Sequence, residues 1–366
     1  MKTLSRVILS AILLALTGIL VLTASNAPEL VYSFYPDLSR RMAGTLASIS
    51  APFPFALWEL AGLLVILWAV YTLVRSFARH RGLLRWLSGV VLGFSAALLV
   101  FVAVWGLGHF GPDVGEQMGL EVREYTENEL YDAARHYTEQ ANACALQVKR
   151  DGDGVVDFSD FRVLSTQAGQ GYEKLAEQYS CFRGSNAPVK RLTAQELYSS
   201  FGITGIFMPF TGESGVNPDT FEASLPFTMC HEIAHRMAFP AEDDANFCAY
   251  LACMENPSPE FRYSGAYSAF LYCYNALYEV SPSRAAQVWE TASPQLRADC
   301  HAASVHYEPY EGAVQDAAQA VNDAYLKAFQ EEDGVKSYGA AADYLIAWYL
   351  GQGTSVLRGN DVADRS

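Results

Sequence analysis

Apolar residues gather in three unbroken stretches near the start of the chain, Val7 to Ala24, Phe55 to Val74 and Leu87 to Leu107. A helix rising 1.5 Å per residue needs about 20 such positions to cross about 30 Å of hydrocarbon. The pattern therefore predicts three transmembrane helices, at about 7–24, 55–74 and 87–107, in a membrane domain covering 1–109. Lys2 and Arg6 before the first stretch, and Thr23-Ala24-Ser25 after it, also fit a signal peptide, but the length favours an uncleaved anchor. Trp105-Gly-Leu-Gly108 closes the third stretch with an interfacial aromatic, and Pro112 stops further helix. No flexible linker follows, so the next domain starts at the membrane surface.

Beyond residue 109 the period changes. Thr126-Glu-Asn-Glu129 is a capping box that predicts a helix to about Arg150, with Leu130, Ala133, Ala134, Tyr137 and Ala141 on one face. A second box, Thr193-Ala-Gln-Glu196, predicts a short helix ending at Gly202. Gly202 to Phe210 is apolar and β-branched and reads as a strand, followed by a turn over Thr211 to Gly215. Helices are expected at about 226–239, 242–254, 258–280, 283–304, 309–331 and 339–350, ahead of a polar tail over 352–366. The fold class is mainly α: three N-terminal transmembrane helices, then a mostly helical α+β domain over 110–351 with a small sheet.

Charge divides the chain in the same place. Residues 1–109 hold eight Lys or Arg and three acids, leaving 17 of the 25 bases and 37 of the 40 acids to the rest, a formal net of −20. Such a surface repels phosphate backbones, which excludes nucleic acid as a partner and leaves the lipid bilayer. Arg75, Arg79, Arg81 and Arg85 lie between the second and third stretches with no acid, which predicts a cytoplasmic loop and a cytoplasmic N-terminus. The segment Ser25 to Pro54 and everything after His109 then lie outside. Arg40 and Arg41 argue the other way, with Glu29 and Asp37 beside them. The seven cysteines show no CxxC spacing and are read as buried free thiols.

The chemistry concentrates at His231-Glu-Ile-Ala-His235. At i and i+4 on a helix, the two imidazoles leave one face a turn apart and can share a Zn2+ ion. Pro226 suits the first helical position, with Ser224 just before it. Glu232, about 100° round, flanks the metal and can take a proton from water and hand it to a leaving amine. Pro240 ends this helix, so the next can bring a third ligand back to the metal. Glu242 is the first choice, with Asp243 and Asp244 as alternatives, although acids in a first turn also complement the helix dipole. Glu242-Asp-Asp-Ala-Asn246 is similar to an ExxAD pattern, with Asn246 where an aspartate would orient a histidine.

Trp105-Gly-Leu, Phe207-Met-Pro-Phe-Thr-Gly-Glu-Ser-Gly-Val-Asn217, Pro226-Phe-Thr, the His231 to His235 motif, Glu242 to Cys253 and Tyr263-Ser-Gly265 together resemble an uncharacterised bacterial family, the domain of unknown function 3810. The resemblance implies a zincin-like, gluzincin-type membrane metallopeptidase acting on a peptide or protein substrate. It further implies that Ile206 to Phe210 is an edge strand to which substrate adds. It makes Tyr263 the candidate oxyanion donor, with Tyr267 and His301 or His306 behind it. Tyr263 also fits a plain core tyrosine. Two departures stand out: Ala238 and Phe239 where relatives have a nearby glycine, and Arg236 in place of glutamine.

Lys149 to Asp160 has the outline of a calcium loop, but lysine at its first position points to a solvated turn. Glu59, near the outer end of the second stretch, is placed to reach headgroups. Glu222 and Glu242 bracket the motif helix too closely for a membrane span, which argues against an intramembrane protease. The competing reading is a non-enzymatic membrane protein with a structural or sensory metal, closed by a fourth donor such as Cys230 or His301.

Overall fold

The computed structural model describes residues 3–79, 82–328 and 341–351. Lys2, Arg81, the ends of two expected helices (329–331 and 339–340) and the tail 352–366 lie outside them. The N-terminal region forms α1 (Thr3–Asn26), α2 (Pro28–Tyr32), α3 (Tyr35–Ser50), α4 (Leu57–Ala78) and α5 (Leu83–Val104). Of these, α1, α4 and α5 are long and apolar enough to cross a membrane. Leu63, Val65, Ile66 and Trp68 of α4 point outward, more apolar surface than water tolerates without a partner. The buried positions are Ser10, Thr17 and Ala24 on α1 and Ser88, Ser95 and Val102 on α5, each set spaced by seven. A seven-residue repeat of mostly small residues lets two long helices run close together with a slight left-handed crossing.

The segment expected as a loop between the first two spans contains the amphipathic helix α3. Its buried face is Tyr35, Ser39, Arg40, Ala43, Ala47 and Ser50, a 3.6-residue period that a search for long apolar runs passes over. It packs into the domain that follows. Arg40 Nε donates to the Met237 carbonyl at 3.0 Å, and its Nη1 pairs with Asp37 at 2.9 Å. Gly212, at φ 65°, lets a turn lie against α3 where a Cβ would fall 2.3 Å from the Ala43 oxygen.

Downstream come α6 (Val114–Met118), α7 (Glu127–Ala145), α8 (Phe161–Gln167), α9 (Gln170–Gln178) and α10 (Gln195–Ser200). The sheet strands are β1 (Lys190–Arg191), β2 (Gly205–Met208) and β3 (Glu213–Val216). Six helices complete the numbering, α11 (Leu225–Arg236), α12 (Glu242–Glu255), α13 (Pro259–Val280), α14 (Pro282–Thr291), α15 (Pro294–Tyr307) and α16 (Ala313–Ala328), and a further helix covers 341–351. The Thr126 capping box forms in full, but α7 stops at Ala145, short of Arg150. The second box does not form. α10 starts after Ala194, and the Thr193 N–H goes to Glu59 at 3.1 Å. The helix expected over 283–304 is two, because Ser293 accepts from Leu296 N and Pro294 opens a new first turn.

The sheet order is β1-β3-β2, with β1 parallel and β2 antiparallel to β3. β3 occupies most of the stretch expected to be a turn. Its sequence Glu-Ser-Gly-Val carries no strand signal, yet all four residues are buried, and Gly215 leaves no room for a Cβ beside Leu192 Cδ2, 2.5 Å away. Burial and pairing override local propensity here. β2, over 205–208, is one edge strand of this sheet among the described residues, so the edge strand that the resemblance implied over Ile206 to Phe210 ends at Met208.

The sheet also holds the N-terminal helices α3 and α4. Lys190 Nζ donates to the carbonyls of Ser50 at 3.0 Å, Ala51 at 3.2 Å and Phe53, at the C-terminal end of α3. Glu213 accepts from the N–H groups of Leu57 at 3.0 Å and Trp58 at 3.1 Å, the free first-turn donors of α4. Glu59, expected to reach headgroups, instead accepts from Thr193 N and from the Tyr198 hydroxyl at 3.0 Å.

Candidate metal centre

Helix α11 buries almost every residue, with Pro226 in its first turn. It ends in a Schellman turn: Phe239 N bonds to Ala234 O at 3.2 Å and Ala238 N to His235 O at 3.0 Å. Ala238 therefore adopts φ 68°, the left-handed conformation that glycine supplies freely. The alanine, where the family resemblance implied a nearby glycine, is thus accommodated with strain, and the chain still doubles back at Pro240 into α12. Ala238→Gly is expected to stabilise the protein by about 1 kcal/mol, since a left-handed alanine costs about that much. Thermal unfolding of the full chain in detergent would register it as a raised Tm, and an unchanged or lowered Tm would refute it.

The turn assembles the site. His231 and His235 stand with ring centroids 4.6 Å apart and planes at 88°. His231 Nδ1 lies 2.9 Å from Asn246 Oδ1, and His235 Nδ1 lies 2.8 Å from the Phe239 carbonyl. Both Nδ1 atoms face oxygen acceptors, which places the neutral-ring proton there and leaves each Nε2 with a lone pair. Glu242 Oε2 is 3.2 Å from His231 Nε2, and its Oε1 is 3.8 Å from His235 Nε2. One donor atom from each of the three residues lies within 4.8 Å of the other two. Three lone-pair groups facing one another need a cation or a shared proton between them. The donor set, two imidazoles and a carboxylate with outer hydrogen bonds in place, fits zinc.

Without a cation the proton takes that role. Burial pulls the His231 imidazole down, but the hydrogen bond and charge of Glu242, with Glu232 adding to them, push it up to about 9. Burial acts on Glu242 in the opposite sense to His231, and the His231 bond wins, holding the carboxyl at about 2. His235 falls to about 4 through burial and the nearby His231 charge. Asn246 is expected to matter through His231 alone: Asn246→Ala should weaken zinc affinity by about 10–100-fold with little loss of fold. Competitive titration against a fluorescent chelator tests this, and unchanged affinity would remove Asn246 from the site.

Glu232 stands beside the cluster, 4% exposed, and its Oε2 is buried with no hydrogen-bond partner. Burial is the main reason its carboxyl is pushed up to about 8. Ser214 Oγ donates to the Glu232 carbonyl at 2.7 Å, tying the residue to β3. Gly205 of β2 lies directly over the side chain, where a Cβ would fall 2.3 Å from Oε1. Trp105 sets its ring edge-on to His235, centroids 5.8 Å apart, and lies 4.8 Å from the Phe207 ring. Sequence reasoning placed Trp105 only at the interface, and it missed Gly205. A glycine at a strand start carries no sign of what packs above it.

The other acids of α12 do not join the cluster. Asp244 Oδ1 accepts from the Tyr344 hydroxyl at 2.9 Å, and Asp243 lines a separate cavity of about 310 Å³ with His109 and Pro240. Tyr263 is corrected as oxyanion donor: it is fully buried, and its hydroxyl donates to Asp299. That carboxylate also takes Arg150 Nη1 at 2.9 Å and Val156 N at 3.0 Å, a network that anchors the 150–156 turn. Tyr267 is buried in the same core, His301 is exposed on α15, and His306 Nε2 lies 2.6 Å from Asp219 O. Cys230 Sγ points to the Ala168 carbonyl at 3.7 Å, and all seven cysteines are free. The calcium-loop outline closes on itself, with Lys149 paired to Asp157 and Asp151 Oδ1 accepting from Asp153 N and Val155 N.

Fold and cluster define a class: a mainly helical protein with three apolar helices long enough to span a membrane and an HEXXH helix whose histidines converge with a glutamate. The chain belongs to the family described as Protein of unknown function (DUF3810), which it matches over residues 33–346. No curated protein and no solved structure matches it.

Proposed function

We propose that the protein is a membrane-anchored zinc metallopeptidase with its catalytic domain outside the cytoplasmic membrane. The observation that carries this reading is the convergence of His231, His235 and Glu242 beside the unpartnered buried oxygen of Glu232. Among the described residues no fourth protein donor joins the three, which favours a catalytic site over a closed structural one. When bound, zinc supplies Lewis acidity, acidifying water and polarising a carbonyl. Glu232 is the group that accepts a proton from water at Oε2 and delivers it to the departing nitrogen. The edge of β2, which has no strand partner among the described residues, offers backbone groups for an extended peptide, with Gly205 beside Glu232.

The orientation rests on the arrangement of basic residues. Arg6 Nη1 donates to the Arg85 carbonyl, so the N-terminal end of α1 and the α4–α5 connection with Arg75 and Arg79 share one end of the spans. The metal cluster sits at the other end, against Trp105. Arg40, which weakened the sequence argument, is buried in the domain and bonded to Met237 O. Its charge is structural, which supports a cytoplasmic N-terminus.

Metal analysis of the full chain in detergent is expected to give one zinc per molecule, absent in His231→Ala. Because His231 in the metal-free protein holds its proton up to about 9, zinc must displace that proton at neutral pH. Apparent affinity should therefore rise with pH, about tenfold per unit for the one proton displaced, and level off above that value. Substoichiometric zinc in the wild type would end the reading, and an affinity flat from pH 6 to 9 would remove the proton exchange at His231.

A further inference from the structure

We infer that the substrate is a membrane-anchored polypeptide, cut in an extended stretch just outside its own span. This rests on the peptidase reading and adds where the scissile bond lies. The outermost residue of α5 is Val104, and the next, Trp105, touches both the metal cluster and the edge strand: its ring is 5.8 Å from His235 and 4.8 Å from Phe207. Phe101, one turn back inside the span, meets Phe210, two residues past the end of β2, at 6.3 Å. The edge strand is therefore laid along the outer end of a membrane helix and held there by two aromatic contacts.

The second span meets the same hairpin at Glu213. Glu213 pairs in register with Met208 at the far end of β2, and its carboxylate caps the first turn of α4 through Leu57 and Trp58. Phe53 and Phe55, just before α4, are exposed, as is Phe210. Exposed aromatics at the end of an apolar helix mark headgroup depth. From α5 the chain passes through the single turn Gly106–Phe110 into α6, so no linker lifts the site away from the bilayer.

The outer edge of β2 has no strand partner among the described residues. An extended chain advances about 3.3–3.6 Å per residue, so a polypeptide rooted in the same bilayer needs only a short extended stretch to reach it. Sharing the bilayer also concentrates such a chain at the site, as a linker does for a tethered ligand. A freely diffusing peptide has neither advantage.

N-terminal profiling of membranes from cells expressing the full-length wild type or Glu232→Gln tests this. New termini that depend on Glu232 should fall within about ten residues of the outer end of a span or lipid anchor, a reach of about 35 Å for an extended chain. Termini lying chiefly in soluble proteins, or far from any anchor, would overturn the inference while leaving the peptidase reading standing. The absence of any Glu232-dependent terminus would overturn both. For one substrate so identified, deleting its anchor should slow cleavage by the purified full chain in vesicles at least tenfold, and an unchanged rate would also sink the inference.

Discussion

Glu232→Gln is expected to keep one zinc per molecule and to lose about 10²–10⁴-fold in kcat, the range over which a positioned general base acts. The amide has the carboxylate's shape, so His231, His235 and Glu242 stay as they are. What disappears is the basic oxygen at Oε2, the buried atom with no hydrogen-bond partner. His231→Ala should lose both metal and cleavage, and the contrast between the two variants separates proton transfer from metal binding.

The same substitution changes how stability depends on pH. Burial raises the Glu232 carboxyl from 4.5 to about 8, so the folded protein holds a proton that the unfolded chain releases. Stability from this group is present below pH 4.5 and is lost as pH rises through 8. Metal-free Glu232→Gln lacks that ionisation, so it should be at least as stable as metal-free wild type at pH 8. Equal cleavage by Glu232→Gln and wild type would remove peptide hydrolysis from consideration.

What the sequence revealed follows from where the determining physics is local. The spans declare themselves by length and composition, and the motif histidines by a four-residue spacing that any helix turns into a shared face. Glu242 and Asn246 were legible for the same reason, since both lie on α12 one helical turn apart. Ala238 was legible as an anomaly, and the structure explains it as a left-handed cap. Tyr263 was not separable from its neighbours, because what decides between an oxyanion donor and a core residue is Asp299, 36 positions away.

Long-range contacts hid the rest. Glu213 and Ser214 look like turn residues until the backbone of α4 and the carbonyl of Glu232 are set beside them. Lys190 looks like a surface base, yet its ammonium group closes the end of α3. These polar residues join the N-terminal helices α3 and α4 to the sheet, and the sheet in turn carries the edge strand and braces the motif helix. The catalytic reading and the membrane-proximal one therefore share a single mechanical element, the β2–β3 hairpin.

That dependence makes Gly205 the sharpest test outside the motif. A Cβ there would stand 2.3 Å from Glu232 Oε1 and 2.7 Å from both Cδ and Cγ, closer than nonbonded atoms approach. Glu232 is 4% exposed, so its carboxylate cannot swing freely into solvent to escape. Either the carboxylate or β2 must move by about 1 Å, and displacements of that size at a reacting centre cost about 10²-fold in rate. Gly205→Ala should accordingly lose about two orders of magnitude in kcat while retaining zinc, because the three atoms nearest the new methyl group all belong to Glu232 and none to a metal donor. Gly215→Ala is the matched control, since its Cβ would press on the flexible end of Leu192, 2.5 Å away, and not on Glu232. It should lower Tm more than it lowers activity. In the Glu232→Asp background, where the carboxylate is drawn back by one methylene, Gly205→Ala should have a much smaller effect, and the two changes should be strongly non-additive. Wild-type kcat in Gly205→Ala, or simple additivity with Glu232→Asp, would mean that β2 does not position the base.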